Sequence, residues 1–196
     1  MTTQSTPVRG KALRDQVLRT ALTLFSRDGY FNTSIHDIRR DAGVSIGSIY
    51  HHFANKESLA KALYDDLLER MTDAMLRIMD ENARCHDRCR AVIRFLFEAA
   101  EEEPATMNFA LYAKHREFMP SERPICSSRP FELMHQMVVE GIISGALRPI
   151  EPWVAATSLF GGPLRMISLR LDGVLPNPLP TYLDEVWDCA WRSVRP

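Results

Sequence analysis

The chain has 196 residues, of which 45% are hydrophobic and 25% charged, and its formal net charge is −1. This length can bury the core of one large domain or two small ones. The sequence contains no uninterrupted run of 18 apolar residues, and its polar start, MTTQSTPVRGK, lacks the apolar core of a signal peptide. We therefore expect a cytoplasmic protein that does not span a membrane.

The small net charge hides an asymmetry along the chain. Residues 1–61 carry nine Lys/Arg against five Asp/Glu, a net charge of +4, whereas residues 62–196 carry fifteen against twenty, a net charge of −5. A basic first third on an acidic remainder indicates that only the first segment faces a polyanion.

The first predicted helix covers residues 11–28, where apolar side chains recur at steps of three and four residues and Gly29 follows as a stop. Ser34 and Asp37 then have the spacing of a capping box, which predicts a short helix over about 34–41. Gly43 provides a turn in which a left-handed backbone conformation is accessible.

Ser45 is placed to cap another short helix, which we expect to end near His52. The pattern of apolar residues from Lys56 onward predicts one long helix over 56–82. Two short helices joined by a glycine turn are typical of a helix-turn-helix, whose second helix enters the major groove of DNA.

Further helices are predicted at about 86–102, 105–117, 128–145, 152–171 and 180–194. No strand alternation or hairpin signal is present, so the predicted fold is all-α. Pro163, which follows Gly161 and Gly162, predicts a kink or a break in the helix over 152–171.

The chemistry of the second short helix suggests how it reads DNA. Its small residues permit close approach to base edges, Ile46 can contact a thymine methyl group, and hydroxyl and cationic groups can contact phosphates. For Ser34 and Ser45 capping alone is an alternative at least as favoured as DNA contact, whereas for Tyr50 a pure packing role is the less favoured alternative. The predicted DNA-binding residues are Thr33, Ser34, Ser45, Ile46, Gly47, Ser48, Tyr50, His51 and Lys56.

The run LRTALTLFSRDGYFNTSIHDIRRDAGVSIGSIYHHFANKESL, residues 18–59, resembles the amino-terminal domain of the TetR family of bacterial transcriptional regulators. The residues at the family's spacing are Ala21, Phe25, Gly29, Thr33, Ile38, Ala42, Gly43, Val44, Ser45, Tyr50, Phe53, Lys56 and Leu59. Thr33, Ser45, Tyr50 and Lys56 resemble the family's DNA contacts. Arg39 departs from the family, which usually has alanine there, and could alter packing or add a phosphate contact.

The resemblance implies a three-helix DNA-binding head, a long connecting helix and a variable helical body. The expected domains are a flexible arm (1–10), a helix-turn-helix domain (11–55) and an effector-binding and dimerisation domain (56–196), with a connector over 56–82. The expected function is a dimeric repressor that binds a palindromic operator and is released by a small molecule. The alternatives are an activator with the same head, or a thiol-based redox-responsive regulator acting through Cys85 and Cys89.

A dimer is also expected because one recognition helix reads too few base pairs to define a genomic address. Apolar stripes in the last two predicted helices are the candidates for the interface, although they could instead pack inside one subunit. The predicted interface residues are Trp153, Phe160, Leu164, Ile167, Tyr182, Val186, Trp187 and Ala190.

Aromatic and methionine side chains concentrated over residues 92–137 suggest a cavity for a small apolar or aromatic effector, although most of them suit an ordinary core equally well. The candidate effector residues are Phe95, Glu98, Phe109, Tyr112, His115, Arg116, Met134 and Met137.

Cys85 and Cys89, one helical turn apart, could sense oxidants or bind a soft metal, but we favour inert thiols because a zinc site requires four ligands. No metal site, cofactor or catalytic residue is predicted. The sequence has no phosphate-binding loop, no His-Glu-x-x-His motif and no nucleophile elbow, which argues against an enzyme.

Overall fold

The computed structural model describes residues 6–196 and is all-helical over that range, with no strand among the described residues. The all-α prediction is therefore confirmed. The helices are α1 (Thr6–Asp28), α2 (Ile35–Ala42), α3 (Ile46–His52), α4 (Lys56–Glu81), α5 (Cys85–Glu102), α6 (Pro104–Tyr112), α7 (His115–Phe118), α8 (Arg129–Ile143), α9 (Pro152–Leu171) and α10 (Leu183–Arg192), with 3-10 turns at Ile125–Ser127 and Leu179–Tyr182.

Three features of the helices differ from the predictions. Helix α1 already begins at Thr6, so residues 6–10 do not form the predicted arm, and residues 1–5 of that arm lie outside the described residues. The single helix predicted over 105–117 is instead α6 and α7, interrupted at residues 113–114. Helix α9 continues through Pro163, so the predicted break is wrong. Proline removes only one N–H donor there, and burial of Leu159, Pro163 and Ile167 holds the helix in place.

The chain divides into two compact units that do not follow the predicted domain boundary at residue 56. The first unit contains the described residues up to Leu67 together with Asn108–Glu122, and the second contains Leu68–Met107 and Arg123–Pro196. The first half of α4 therefore belongs with the helix-turn-helix. The physical reason is packing, because the rings of Tyr64 and His115 lie 4.8 Å apart in the core of this unit.

The core of the first unit holds α1, α2 and α3 together. Val17, Ala21, Ile38 and Ile49 are inaccessible to solvent. Gly43 ends α2 with a φ of +66°, a left-handed conformation that disfavours other side chains, and Gln16 donates its amide to the Ala42 carbonyl at 2.7 Å. These contacts fix the turn from which α3 begins.

The second unit is built around α5, whose apolar face is completely buried against neighbouring helices of the same unit. Val92, Ile93 and Phe97 are inaccessible to solvent there. The Glu101 carboxylate accepts hydrogen bonds from the Arg170 guanidinium at 2.9 and 3.1 Å and from the Leu179 amide at 2.9 Å, which ties α9 and the following loop to α5. No helix in the described part of the chain is both long and apolar enough to cross a bilayer.

Candidate DNA-binding interface

Helix α3 is short because both of its ends are defined by local interactions. Ser45 precedes it in an extended conformation, and its hydroxyl accepts the Ser48 amide at 3.0 Å. Ile49 is fully buried and Phe53, which ends the helix, is 4% exposed. The predicted capping by Ser45 is confirmed, and burial of Ile49 and Phe53 places them on the core side of the helix.

The outward face of α3 carries the groups that can reach DNA. Gly47 and His51 are exposed, and the Tyr50 side chain is 52% exposed with no hydrogen-bond partner for its hydroxyl among the described residues. The hydroxyls of Ser45 and Ser48 lie 2.7 Å apart, so one of their two O–H groups donates to the other. The second O–H remains free to donate to a base or a phosphate. Half-buried Ile46 completes this face.

Three of the predicted phosphate-contacting residues, Thr33, Ser34 and Lys56, already form hydrogen bonds within the three-helix head. Thr33 is 2% exposed and its hydroxyl donates to the Gly29 carbonyl at 2.9 Å, so its predicted DNA contact is wrong because the side chain points into the core. The Ser34 hydroxyl donates to Asp37 Oδ2 at 2.6 Å and accepts the Asp37 amide at 3.1 Å. A phosphate only accepts hydrogen bonds, so this capping box leaves Ser34 no O–H to offer.

Lys56 supports the turn that precedes α2. Its Nζ donates to the carbonyls of Tyr30 at 2.8 Å and Thr33 at 2.9 Å and lies 4.1 Å from the centre of the Tyr30 ring. Burial lowers the pKa of the Lys56 ammonium. Only one of its three N–H groups is left for a phosphate. The main role of Lys56 is therefore to hold the turn before α2 in place, and a DNA contact is secondary.

Arg39 is the cationic side chain that the predicted contact set omitted. It lies exposed on α2, and the described residues provide no ion pair for it, whereas neighbouring Arg40 is paired with Asp37 at 3.1 Å and Asp41 at 3.0 Å. An unpaired guanidinium on the helix that precedes α3 is suited to a phosphate. The departure of Arg39 from the family pattern was the sequence signal for it.

Comparisons with known proteins agree with this geometry. The family model for bacterial regulatory proteins of the tetR family matches residues 17–63. The HTH-type transcriptional repressor KstR2 of Mycolicibacterium smegmatis is 28% identical over 150 residues, which cover 74% of this chain and 72% of that protein.

Residues 17–63 of this chain therefore form a DNA-binding domain of the TetR family.

Two solved structures show that the whole fold is shared. KstR2 of Mycobacterium tuberculosis, a ketosteroid transcriptional regulator, superposes with a TM-score of 0.77 at 21% identity and covers all of this chain and 97% of that one. The regulator FadR of Bacillus subtilis in complex with stearoyl-CoA gives a TM-score of 0.77 at 19% identity, covering 90% of this chain and 96% of that one. This chain is a DNA-binding transcriptional regulator.

The structure separates the candidate effector residues into its two units. In the first unit Phe109 and His115 are buried with their ring centres 4.9 Å apart, while Tyr112 and Arg116 are exposed. Among the described residues His115 Nε2 has no hydrogen-bond partner, and burial lowers the pKa of His115 to about 4. His115 therefore belongs to an apolar core and is not placed to orient a ligand.

In the second unit, Met134 and Met137 are buried core residues on α8. Phe95 and Glu98 instead line a groove of about 440 Å³ between α4 and α5, together with Ile78, Arg77 and Arg94. The described residues provide no ion-pair partner for either arginine. Two of the predicted effector residues, Phe95 and Glu98, therefore line the same groove, and the guanidinium groups of Arg77 and Arg94 lie beside them.

The predicted dimer residues are also divided by burial. Phe160, Ile167 and Trp187 are at most 6% exposed within one subunit, so the prediction that they form the interface is wrong for them, because neighbouring helices of the same unit already cover them. Ala190 is also 6% exposed, but it lines a surface groove along α9 and α10. Leu164, Tyr182 and Val186 are half-buried, and Trp153 is 56% exposed.

A groove of about 630 Å³ along α9 and α10 contains residues that sequence analysis missed. Small or flexible side chains line it, and a Cβ atom at Gly162 would meet no described atom of the subunit within 4 Å. The glycine pair inside α9 was the signal that could have revealed it. Besides Val186 and Ala190, the lining residues are Ser158, Gly162, Pro163, Arg165, Met166, Glu185, Cys189 and Ser193.

Proposed function

We propose that this chain is a repressor that binds a two-fold symmetric operator as a homodimer and leaves it when a small apolar or aromatic molecule binds the body. The observation that carries the DNA-binding part is the free outward face of α3. Its Gly47, Tyr50 and His51 are exposed while Ile49 on the opposite face is fully buried.

Repression and the binding of a ligand are supported by the relatives. KstR2 is described as a repressor and as a ketosteroid regulator, and FadR was solved with stearoyl-CoA bound. Both descriptions point to effectors with a large apolar part. A helical body whose cores hold several methionines and aromatic rings can adapt to such ligands.

The proposed dimer interface is the groove along α9 and α10. Ser158, Gly162 and Cys189 are exposed residues of this groove, and half-buried Met166 and Val186 supply apolar surface. Small residues on helices allow close helix–helix approach, and a self-complementary patch suits a two-fold axis. Two heads on one dimer would read half-sites about 34 Å apart on one face of the duplex.

Selection of bound sequences from a random DNA pool, followed by fluorescence anisotropy on the selected site, tests this function. A two-fold symmetric consensus and loss of binding on addition of an acyl-CoA or a steroid support it. Binding that is indifferent to sequence, or a consensus with a single half-site, contradicts it. An activator would instead show the same consensus with transcription reduced when the gene is deleted.

The native cysteines provide a test of the interface. Cys189 and Cys126 are both exposed in the subunit, but only Cys189 lines the proposed interface. A short bismaleimide should therefore link two wild-type chains and fail to link the Cys189→Ser variant, whereas Cys126→Ser should behave as wild type. Cross-linking that depends on Cys126 instead would contradict the assignment.

A further inference from the structure

Two thiols in the second unit lie too close together to be independent and are arranged wrongly for a disulfide. Cys85 and Cys89 are on consecutive turns of α5, with their Sγ atoms 4.0 Å apart. Residues four apart on a helix have Cβ atoms about 5–6 Å apart, whereas a disulfide requires about 3.5–4.5 Å. A disulfide would therefore require the first turn of α5 to unwind, and the redox-responsive alternative is not retained.

The same separation fits one metal ion between the two sulfurs. With metal–sulfur bonds of about 2.3 Å, the length found for zinc thiolates, an S···S distance of 4.0 Å corresponds to an S–metal–S angle of about 120°. That angle is trigonal. Neither sulfur has to move, and one coordination position is left for a ligand from solution.

The surroundings of the pair narrow the choice of metal. No group of three or more His, Cys, Asp or Glu that could hold a metal occurs among the described residues, so a four-coordinate zinc site is not available. Two thiolates and a low coordination number are instead suited to a soft monovalent ion. Cys89 is fully buried, while half-buried Cys85 provides access from solvent.

The neighbouring helix is shaped around Cys85. Its thiol lies 3.7 Å from the Met137 carbonyl, and a Cβ atom at Gly141 would overlap Cys85 Sγ. Glycine at position 141 therefore keeps the Cys85 sulfur beside Cys89.

We propose that Cys85 and Cys89 form a binding site for a soft monovalent metal ion of the Cu(I) type. On binding, both S–H bonds break, two Cu–S bonds form, and the two protons pass to the buffer. Copper remains in the +1 state throughout, so the step needs no oxidant or reductant.

The experiment uses the full chain with Cys126→Ser and Cys189→Ser, which removes the two exposed thiols and leaves the pair intact. Cu(I) is supplied without oxygen as its complex with the chromophoric chelator bicinchoninate, and competition is followed by absorbance. We expect one Cu(I) per chain in this parent. Adding Cys85→Ser should weaken binding by more than the roughly 10–100-fold typical of losing an outer-shell partner.

A second variant guards against an effect of folding alone. Gly141→Ala keeps both thiols but displaces the Cys85 sulfur, so it should also weaken Cu(I) binding, with circular dichroism confirming the helical content. No competition by the parent, or equal affinity in the parent and in Cys85→Ser, would overturn the proposal. The measurement needs neither DNA nor effector, so its failure would leave the proposed repressor function untouched.

Discussion

The first unit should lose stability in mild acid because of one histidine. His115 is 8% exposed, and the described part of the chain offers its Nε2 no hydrogen-bond partner. The ring centres of Tyr64, Phe109 and Phe118 lie 4.8 to 5.7 Å from that of His115. Burial lowers the pKa of His115 from 6.5 to about 4. The neutral ring is therefore the form that the folded unit accommodates.

The sign and size of the effect follow from linkage. Above pH 6.5 His115 is neutral in both states, and its contribution to the free energy of unfolding is complete. As the pH falls below 6.5, the unfolded chain takes up a proton that the folded chain does not, and stability falls until the pH approaches 4. Between pH 7 and pH 5 this amounts to about 2 kcal/mol, and over the whole window to about 3 kcal/mol.

Urea unfolding monitored by circular dichroism at pH 7 and pH 5, at one fixed protein concentration, measures the effect. His115→Leu fills a similar space without a titrating group, so the variant should lose about 2 kcal/mol less than wild type between the two pH values. At pH 7 it should be as stable as wild type or more stable, because an unpaired buried nitrogen is removed. Equal pH dependence in the two proteins would refute the assignment of this loss to His115.

Three further predictions concern the head and the dimer. Lys56→Ala should lower the free energy of unfolding by about 1–3 kcal/mol, because two carbonyls lose a charged donor. Arg39→Ala should leave thermal stability unchanged and reduce the slope of the logarithm of the DNA-binding constant against the logarithm of salt concentration by about 0.9. The opposite pattern would exchange the roles of Lys56 and Arg39. Phe118→Ala should lower the free energy of unfolding by about 3–5 kcal/mol, since the Phe118 ring stacks on Tyr30 with ring centres 3.9 Å apart. The control Phe31→Ala, at a residue 62% exposed, should change the free energy of unfolding by no more than about 0.5 kcal/mol. Equal melting temperatures of the two variants would contradict this difference. Gly162→Glu should give a folded protein that light scattering shows to be a monomer, with weakened DNA binding. The control Ser144→Glu, at an exposed residue at the end of α8, should remain a dimer with wild-type DNA binding. A dimeric Gly162→Glu variant would place the interface elsewhere.

Much of the head could be predicted from the sequence because its structure depends on local interactions. The capping box of Ser34 and Asp37, the left-handed Gly43 and the Ser45 cap all involve groups within three or four residues of each other. Backbone hydrogen bonding and steric limits act over that range whatever the rest of the chain does. Helix positions and the outward face of α3 were therefore determined by the sequence alone.

Only the tertiary structure decided which side chains remain available to bind DNA, an effector or a second subunit once the helices pack. Lys56 turns inward to carbonyls 23 and 26 residues away, and His115 enters the core of the first unit although it was a candidate effector residue. The apolar stripes of α9 and α10 likewise gave no indication of which members face their own subunit. Periodicity identifies an apolar face, but the residues that cover it come from distant parts of the chain, and burial is settled only when those parts meet.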